Sequence, residues 1–491
     1  MDKPAALALY DQNAIRAFDA ELVGRPGNSA LALMVRAGTE AYEALMLRWP
    51  KTKYLTVVCG AGNNAGDGYV LARCAKADGL TVRVIDVGEK RGLSADAQTC
   101  YDAMVAAGVS IGSDFHVIED ADVVVDAIFG IGLSRDVDGD LALVIDQIND
   151  GKAPVMSIDI PSGIHATTGA RLGVAVQADF TVTFIALKQG LYTGQGPACA
   201  GDIVLLDLDV GAGELPLFVD KTASLLQAPY VASARVPRSR TAHKGHHGHA
   251  LLIGGAPGYV GAIRLAGEAT ARVGSGLVSV AAHPDVANYV NISRPELMVH
   301  SVADPQRLGK LLKQVSCIAI GPGLGQQAWG ASLFGAVLAT RLPLVIDADA
   351  LNLLAADPTR RNNWVLTPHP GEAARLLNST TAEINADRFA AVTELQKTYG
   401  GCVVLKGAGS LVFDGRTMAV VGAGNPGMAS GGIGDVLTGV IVGLIAQGVE
   451  FGEAARIGTC LHAVAGDLAA RAGERGLLAS DLFEHIRTLV N

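Results

Sequence analysis

The sequence predicts an α/β protein built as two tandem three-layer α/β/α domains. Three observations carry that prediction. Short β-branched runs alternate with helical stretches along most of the chain, the pattern of βαβ units around a buried parallel sheet. The 491 residues are 49% hydrophobic and 18% charged, with 60 glycines and a mean hydropathy of +0.32, which suits strands covered on both faces and joined by tight loops. The alternation breaks once, over about 215–243, where Pro, Ser and Arg gather.

The elements follow in order. The opening "MDKPAALALYDQNAIRAFDAELVG" carries an acid at position 2 and charges throughout, so it lacks the basic start and apolar core of a signal peptide. From residue 53, "KYLTVVCG" reads as strand, "AGDGYVLARCAKADG" as helix and "LTVRVIDVG" as strand. "ADVVVDAIFG", "APVMSIDIPSG", "ADFTVTFIA" and "GDIVLLDLDV" continue the series, each ended by Gly, Asp or Pro or running into the next turn. Past the break the pattern restarts with "GHALLIGG", "GLVSVAAHP", "VSCIAIGPGLG", "LPLVIDADALN", "WVLTPHPGE" and "GCVVLKGAGSLVFDG". It closes on the apolar run "GVIVGLIAQG", too short and too glycine-rich to span a bilayer and therefore a core helix. The expected domains are 1–220 and 235–491.

Bulk properties exclude several classes. A formal charge of −9 and a pI near 5.7 provide no basic footprint for nucleic acid. Seven scattered cysteines without a C-x-x-C pair argue against a disulfide framework or a thiolate zinc site, and place the chain in a reducing cytoplasm. The cluster "HKGHHGH" (243–249) raises the question of a metal, but reads more simply as a strand entry with incidental histidines.

The first glycine loop, "CGAGNNAGDGYV", follows a strand and opens a helix. Gly60, Gly62 and Ala65 satisfy the dinucleotide fingerprint G-x-G-x-x-A, and Asp86 ends the next strand where a ribose-binding acid belongs, so a dehydrogenase is a competitor. Two features do not fit it. Asn63 and Asn64 bring amides the fingerprint does not need, and Asp67 would repel a diphosphate; such oxygen-rich residues suit a cation or a hydroxylated ligand. The plainer reading makes the asparagines turn residues and Asp67 a helix cap. Further strand ends add Asp126 before a glycine loop, and Asp159 and Ser162 astride Pro161.

Together "GNNAGDG", "VVDAIFGIGL" and "SIDIPSG" resemble the NAD(P)H-hydrate epimerase domain, over about residues 7–212, with Ala65 where the usual loop has Gly. The resemblance implies a Rossmann-like fold and a potassium ion held by Asn64, Asp126 and Ser162. It implies substrate contacts from Asn63, Asn64, Ala65, Gly66 and Asp67, from the loop Gly130, Ile131, Gly132, Leu133, Ser134, Arg135 and Asp136, and from Asp159. Inverting a carbinol carbon beside an enamine nitrogen needs an acid or base at that carbon, and Asp159 is the best-placed group. Lys188 is either a neighbour of that site or an ordinary surface lysine.

In the second half no G-x-x-x-x-G-K-[ST] loop exists. The stretch "ASGGIGD" offers another anion site: glycines clear every Cβ from a helix start, so its amides and dipole are open to a phosphoryl group, and Asp435 in the first turn is expected to stay ionised and take a proton. A glycine hinge with a capping Asp is the bland alternative. "VLKGAGS" sets Lys406 and a small-residue turn at a strand end, suited to a nucleotide. In "TPHPGE", His369 and Glu372 are site groups or merely a packed turn histidine and a first-turn acid.

"NPGMASGGIGDVLTG", with "GGAPGYVGA", "GPGLG", "DADALN", "LTPHPGE" and "LKGAGS", resembles the ADP/ATP-dependent NAD(P)H-hydrate dehydratase of the ribokinase-like superfamily, over about 235–490. The resemblance implies hydrate contacts from Ala262, Gly325, His369 and Asp435, and nucleotide contacts from Lys406, Gly407, Ala408, Gly409, Ser410 and Gly434. It also implies magnesium, which Glu372 would help arrange.

The combined expectation is a bifunctional repair enzyme acting on hydrated NADH and NADPH. Asp159 and Asp435 are its catalytic groups, K+ serves the first domain, and Mg2+ with ADP or ATP serves the second. A vitamin or sugar kinase fused to a dinucleotide-binding sensor is the alternative. No membrane is implied, and the apolar composition leaves room for a homo-oligomer.

Overall fold

The computed structural model describes residues 6–25, 28–87, 93–112, 120–210, 220–233 and 238–491, and they gather into two compact units, Ala8–Ala223 and one built on Ser224–Asn491. Both are α/β with largely parallel sheets, as the alternating pattern predicts.

The chain opens with β1 (Ala6–Tyr10), whose residues from Ala8 on belong to the N-terminal unit, and that unit contains β2 (Tyr54–Cys59), β3 (Thr81–Asp86), β4 (Ser110–Gly112), β5 (Val123–Ala127), β6 (Val155–Ile158), β7 (Phe180–Phe184), β8 (Leu187–Lys188) and β9 (Asp202–Leu206). A seven-stranded sheet is ordered β4-β3-β2-β5-β6-β7-β9 with every pairing parallel, while β1 pairs with β8 apart from it. β5 and β7 are buried along their whole length, which is why they read as unbroken apolar runs. The strand order reverses at β2 and β5, the position where open α/β sheets form their ligand crevice. Register places Val58, Asp126 and Ser157 in one row across β2, β5 and β6.

The C-terminal unit continues with β10 (Ala223–Leu226), β11 (His249–Ile253), β12 (Leu277–Ala282), β13 (Met298–Ser301), β14 (Cys317–Ile320), β15 (Leu344–Ile346), β16 (Trp364–Leu366), β17 (Cys402–Leu405), β18 (Leu411–Phe413) and β19 (Met418–Val421). Their order is β13-β12-β11-β14-β15-β16-β17-β18-β19-β10, parallel from β13 to β17 and antiparallel through β18. The single run expected at 401–415 is therefore a hairpin, β17–β18, whose turn is the loop Lys406–Ser410. Of the stretch read as a break, residues 223–226 form β10 and Ala228–Ser233 is a helix; 215–219 and 234–237 lie outside the described residues.

The apolar run near the C-terminus is the core helix Ile433–Ala446. It lies directly on the helix Val260–Arg272: a Cβ at Gly439 would collide with the carbonyl of Ala266, one at Gly443 with Val273, and Thr270 Oγ1 donates to Gly439 O at 3.0 Å. Among the described residues no helix is long and apolar enough to cross a membrane.

Candidate active sites

In the N-terminal unit the crevice opens at the ends of β2, β5 and β6. Gly60 is obligatory there, because a Cβ would strike the carbonyl of Ile128. The helix Asn63–Ala77 starts from Gly62 with no side-chain cap, so the capping reading of Asp67 fails. Asn63 Oδ1 accepts from Ser94 Oγ at 2.6 Å. Asn64 is 7% exposed, and its side-chain nitrogen is buried without a hydrogen-bond partner. That donor would need an acceptor; the atom Asn64 presents to the crevice is Oδ1, which like Asp159 Oδ2 lies 3.3 Å from where a Cβ on Gly130 would stand.

Asp126 is fully buried beneath this point. Its carboxylate accepts from Ser162 Oγ at 2.6 Å, Ser162 N at 2.9 Å, Ser157 Oγ at 2.8 Å and Ile128 N at 3.2 Å. Burial pushes its carboxyl up, and the bonds from Ser162, Ser157 and Ile128 pull it back. Ser162 Oγ also accepts from Phe129 N at 2.9 Å, which fixes the start of the glycine loop after β5. Within that loop Gly130 is the approach point: a Cβ there would lie 3.3 Å from both Asn64 Oδ1 and Asp159 Oδ2. Ile131 is half-buried, Gly132, Ser134, Arg135 and Asp136 face solvent, and Leu133 turns into the core. The loop thus converges on the site through its first residues.

Asp159 has a left-handed backbone, φ +70°, and its Oδ1 accepts from Lys188 Nζ at 2.6 Å. Lys188 is 1% exposed, which overturns the surface reading of that residue. Two more carboxyls share the neighbourhood. Asp67 is pushed well above the carboxylate range, first by desolvation, then by Asp159 and Asp19. Asp19, which the sequence did not single out, is pushed up to about 6 by burial against the pull of Lys188. Asp86 is committed to structure, accepting from Tyr69 Oη at 2.9 Å, which removes the best argument for a ribose-binding acid.

In the C-terminal unit Gly432, at φ +91°, turns the chain into the helix Ile433–Ala446. The first-turn amides of a helix have no intrahelical partner, and nothing lies within 4 Å of a Cβ built on Gly431. His462 Nε2 donates to Ile433 O at 3.0 Å and braces that turn from behind. Asp435 sits among Asp347, Lys406, Asp349 and Glu372, and burial first, then Asp347, push its carboxyl up to about 7. The expectation that Asp435 stays ionised is therefore corrected, since desolvation and like charge outweigh the helix dipole.

Lys406 Nζ lies 2.8 Å from Asp347 Oδ1 and 3.7 Å from Glu372 Oε2, and 3.4 Å from where a Cβ on Gly434 would stand. Thr438 Oγ1, one turn along the helix, donates to Asp347 Oδ2 at 2.7 Å. The turn after Lys406 has φ +140° at Gly407 and +59° at Gly409, and Ser410 Oγ donates to Gly407 O at 3.0 Å. Ala408 stays exposed at its tip. The buried Arg388 supports the loop by donating to Leu405 O at 3.2 Å and Lys406 O at 3.3 Å.

His369 caps the helix Pro370–Leu376, accepting from Gly371 N and Glu372 N, while Glu372 Oε2 accepts from His369 N at 2.8 Å. Gly325, at φ +70°, donates its amide to Asp349 Oδ2 at 2.9 Å, and Ala262 faces the same loop across Gly323. Asp347, Asp349, Thr438 and His462 belong to this site and were not selected from sequence. "DADALN" held the only signal, for the first two. The histidines of 243–249 do other work: His243 and His246 stack at 3.7 Å, and His249 contacts Gln314 O and Ser279 Oγ.

Comparison with known proteins fits these two sites. The family described as YjeF-related protein N-terminus matches residues 30–190, and the NAD(P)H-hydrate dehydratase family matches 250–488. The bifunctional NAD(P)H-hydrate repair enzyme Nnr of Coxiella burnetii is 46% identical over 98% of this chain and 99% of its own length. The Escherichia coli enzyme of the same name is 42% identical over 97% and 93%. A ribokinase-like superfamily protein of Enterococcus faecalis aligns with TM-score 0.51 and 28% identity over 54% of this chain and 94% of its own. With nearly full-length identity of this order joined to both sets of strand-end residues, the chain belongs to the bifunctional NAD(P)H-hydrate repair enzymes.

Proposed function

We propose that residues 1–220 epimerise the R and S hydrates of NADH and NADPH through Asp159, and that residues 235–491 dehydrate the S form through Asp435 with ADP or ATP as phosphate donor. The observation that carries the dehydratase half is Asp435, poised near neutrality in the first turn of a glycine-cleared helix. A base works best when its pKa lies near the working pH. Asp435 takes the proton of the C6 hydroxyl as that oxygen bonds to the donor's terminal phosphorus, and the bond from phosphorus to the nucleotide oxygen breaks. Phosphate then leaves C6, driven by the ring-nitrogen lone pair, and loss of a C5 proton restores the dihydronicotinamide. The amides of Ile433 and Gly434 and the Lys406 ammonium face the transferring group, with Lys406–Ser410 along the nucleotide.

In the epimerase half, Asp159 Oδ2 takes the C6 hydroxyl proton as the bond between C6 and N1 opens, and hands that proton to N1. Closure on the other face of the resulting aldehyde reverses these transfers and inverts the carbon. Asn63–Asp67 flank the substrate, and the loop after β5 meets it through Gly130 and Ile131.

The oxygen donors of Asn64, Asp126 and Ser162 suit a potassium ion; bound there, it would supply fixed positive charge beside the substrate. The carboxylates of Glu372 and Asp347 beside a phosphate site suit Mg2+ arriving with the nucleotide, which neutralises phosphate charge. Seven free thiols support a reducing cytoplasm, and exposed Tyr289 and Ile292 support a homo-oligomer.

The test supplies mixed hydrate epimers, Mg2+ and either ADP or ATP, and follows the return of nicotinamide absorbance. Full recovery is expected. Recovery that stalls at one epimer refutes the epimerase half, and phosphorylation of a vitamin or sugar alcohol without recovery refutes the whole reading.

A further inference from the structure

Two neighbouring strands of the N-terminal unit end in the same rare way. After β6, Asp159 has φ +70° and Ile160 N donates back to Ile158 O at 2.9 Å. After β7, Ile185 has φ +68° and Ala186 N donates back to Phe184 O at 2.6 Å. A three-residue turn closed this way around a positive φ is the strained form of the γ-turn, and neither Asp nor the β-branched Ile relieves it as glycine would. Backbone states of this kind persist only where the surroundings over-determine them.

One group touches both turns. The buried Lys188 ammonium donates to Asp159 Oδ1 at 2.6 Å and to Phe184 O at 2.8 Å. It thereby ties the side chain at the centre of the first turn to the carbonyl that closes the second. With Oδ1 so held, Oδ2 is the oxygen turned toward Gly130 and Asn64 Oδ1. β8 fixes Lys188 itself, pairing it with Tyr10. Lys188 also opposes the upward push on the nearby carboxyls of Asp19 and Asp67, in both of which burial is the larger effect.

We propose that Lys188 is a positioning residue for epimerisation: by bridging the two γ-turns it holds Asp159 in the orientation that presents Oδ2 to the substrate. The inference rests on Asp159 being the acid–base group. Misplacing a reacting group by about 1 Å costs on the order of 100-fold in rate.

The experiment uses the full-length chain with Lys188→Met, Lys188→Arg and Asp159→Asn, measuring interconversion of separated R and S hydrates. Dehydration of pure S hydrate by the same preparation reports folding. Lys188→Met is expected to lower kcat for epimerisation about 100-fold with KM within about threefold, dehydration unchanged, and Lys188→Arg to recover part of the loss. Asp159→Asn should be inactive in epimerisation. If Asp159→Asn is inactive while Lys188→Met keeps wild-type kcat, or loses only in KM, the role of Lys188 is overturned. An active Asp159→Asn overturns the reading of Asp159 instead. Should Lys188→Met also lose dehydration, Lys188→Arg decides: a kcat-selective deficit supports the proposal, and wild-type kinetics overturn it.

Discussion

The sharpest prediction concerns the pH dependence of dehydration. Asp435 is pushed up to about 7, by desolvation first and by Asp347 second, with Lys406 pulling the other way. A base with that value is ionised to about 9% at pH 6 and about 91% at pH 8, so the single-turnover rate of dehydration should rise about tenfold over that interval. The perturbation is Asp347→Asn. It removes the largest like-charge contribution while leaving an acceptor for Thr438 Oγ1, and the midpoint should fall by about one pH unit. The wild type and variant are compared with saturating nucleotide and pure S hydrate, following nicotinamide absorbance. A wild-type profile flat from about pH 5 to 8, or an unmoved midpoint in the variant, would refute the assignment of Asp435 as the base.

Three further outcomes follow from the geometry. Gly130→Ala places a methyl 3.3 Å from Asn64 Oδ1 and Asp159 Oδ2, so epimerisation should fall at least about 100-fold while dehydration and the melting temperature hold; retained epimerisation would mean the substrate lies elsewhere. Exchanging K+ for a large organic cation at constant ionic strength should slow epimerisation, and Ser162→Ala should abolish that sensitivity along with most of the rate; indifference to the cation contradicts the oxygen set at Asn64, Asp126 and Ser162. His462, 6% exposed, is pushed down to about 4 by burial. Its folded value lies below the unfolded one, so the unfolded chain binds the extra proton, and stability falls as pH drops from 6.5 towards 4. The loss is on the order of 3 kcal/mol, and denaturant melts of His462→Gln should be flatter by that amount across the same window.

Much of the fold was legible because buried parallel strands and glycine-ended loops leave local signatures. The strand ends carrying Asn64, Asp126, Asp159 and Ser162 could be read for the same reason: chemistry sits where a periodic run stops. Other parts depend on distant segments meeting. Asp19 and Lys188 reach Asp159 only through tertiary placement, and nothing in "ALKQG" marks its lysine as buried. His462 lies mid-helix in an ordinary amphipathic stretch and acquires its role from the Ile433 carbonyl. The partial ionisation of Asp435 is not legible in sequence for a physical reason. A helix dipole is local and readable in sequence, whereas desolvation and the charge of Asp347 are set by residues about 90 positions away.

The seam between the helices Val260–Arg272 and Ile433–Ala446 has a mechanical consequence. At Gly439 and Gly443 one backbone rests on the other without side chains to cushion them, and Thr270 pins the carbonyl of Gly439. Such a joint neither slides nor rolls by small increments. The start of the helix Ile433–Ala446, where Asp435 sits, is thereby held as a stationary anvil in the C-terminal unit.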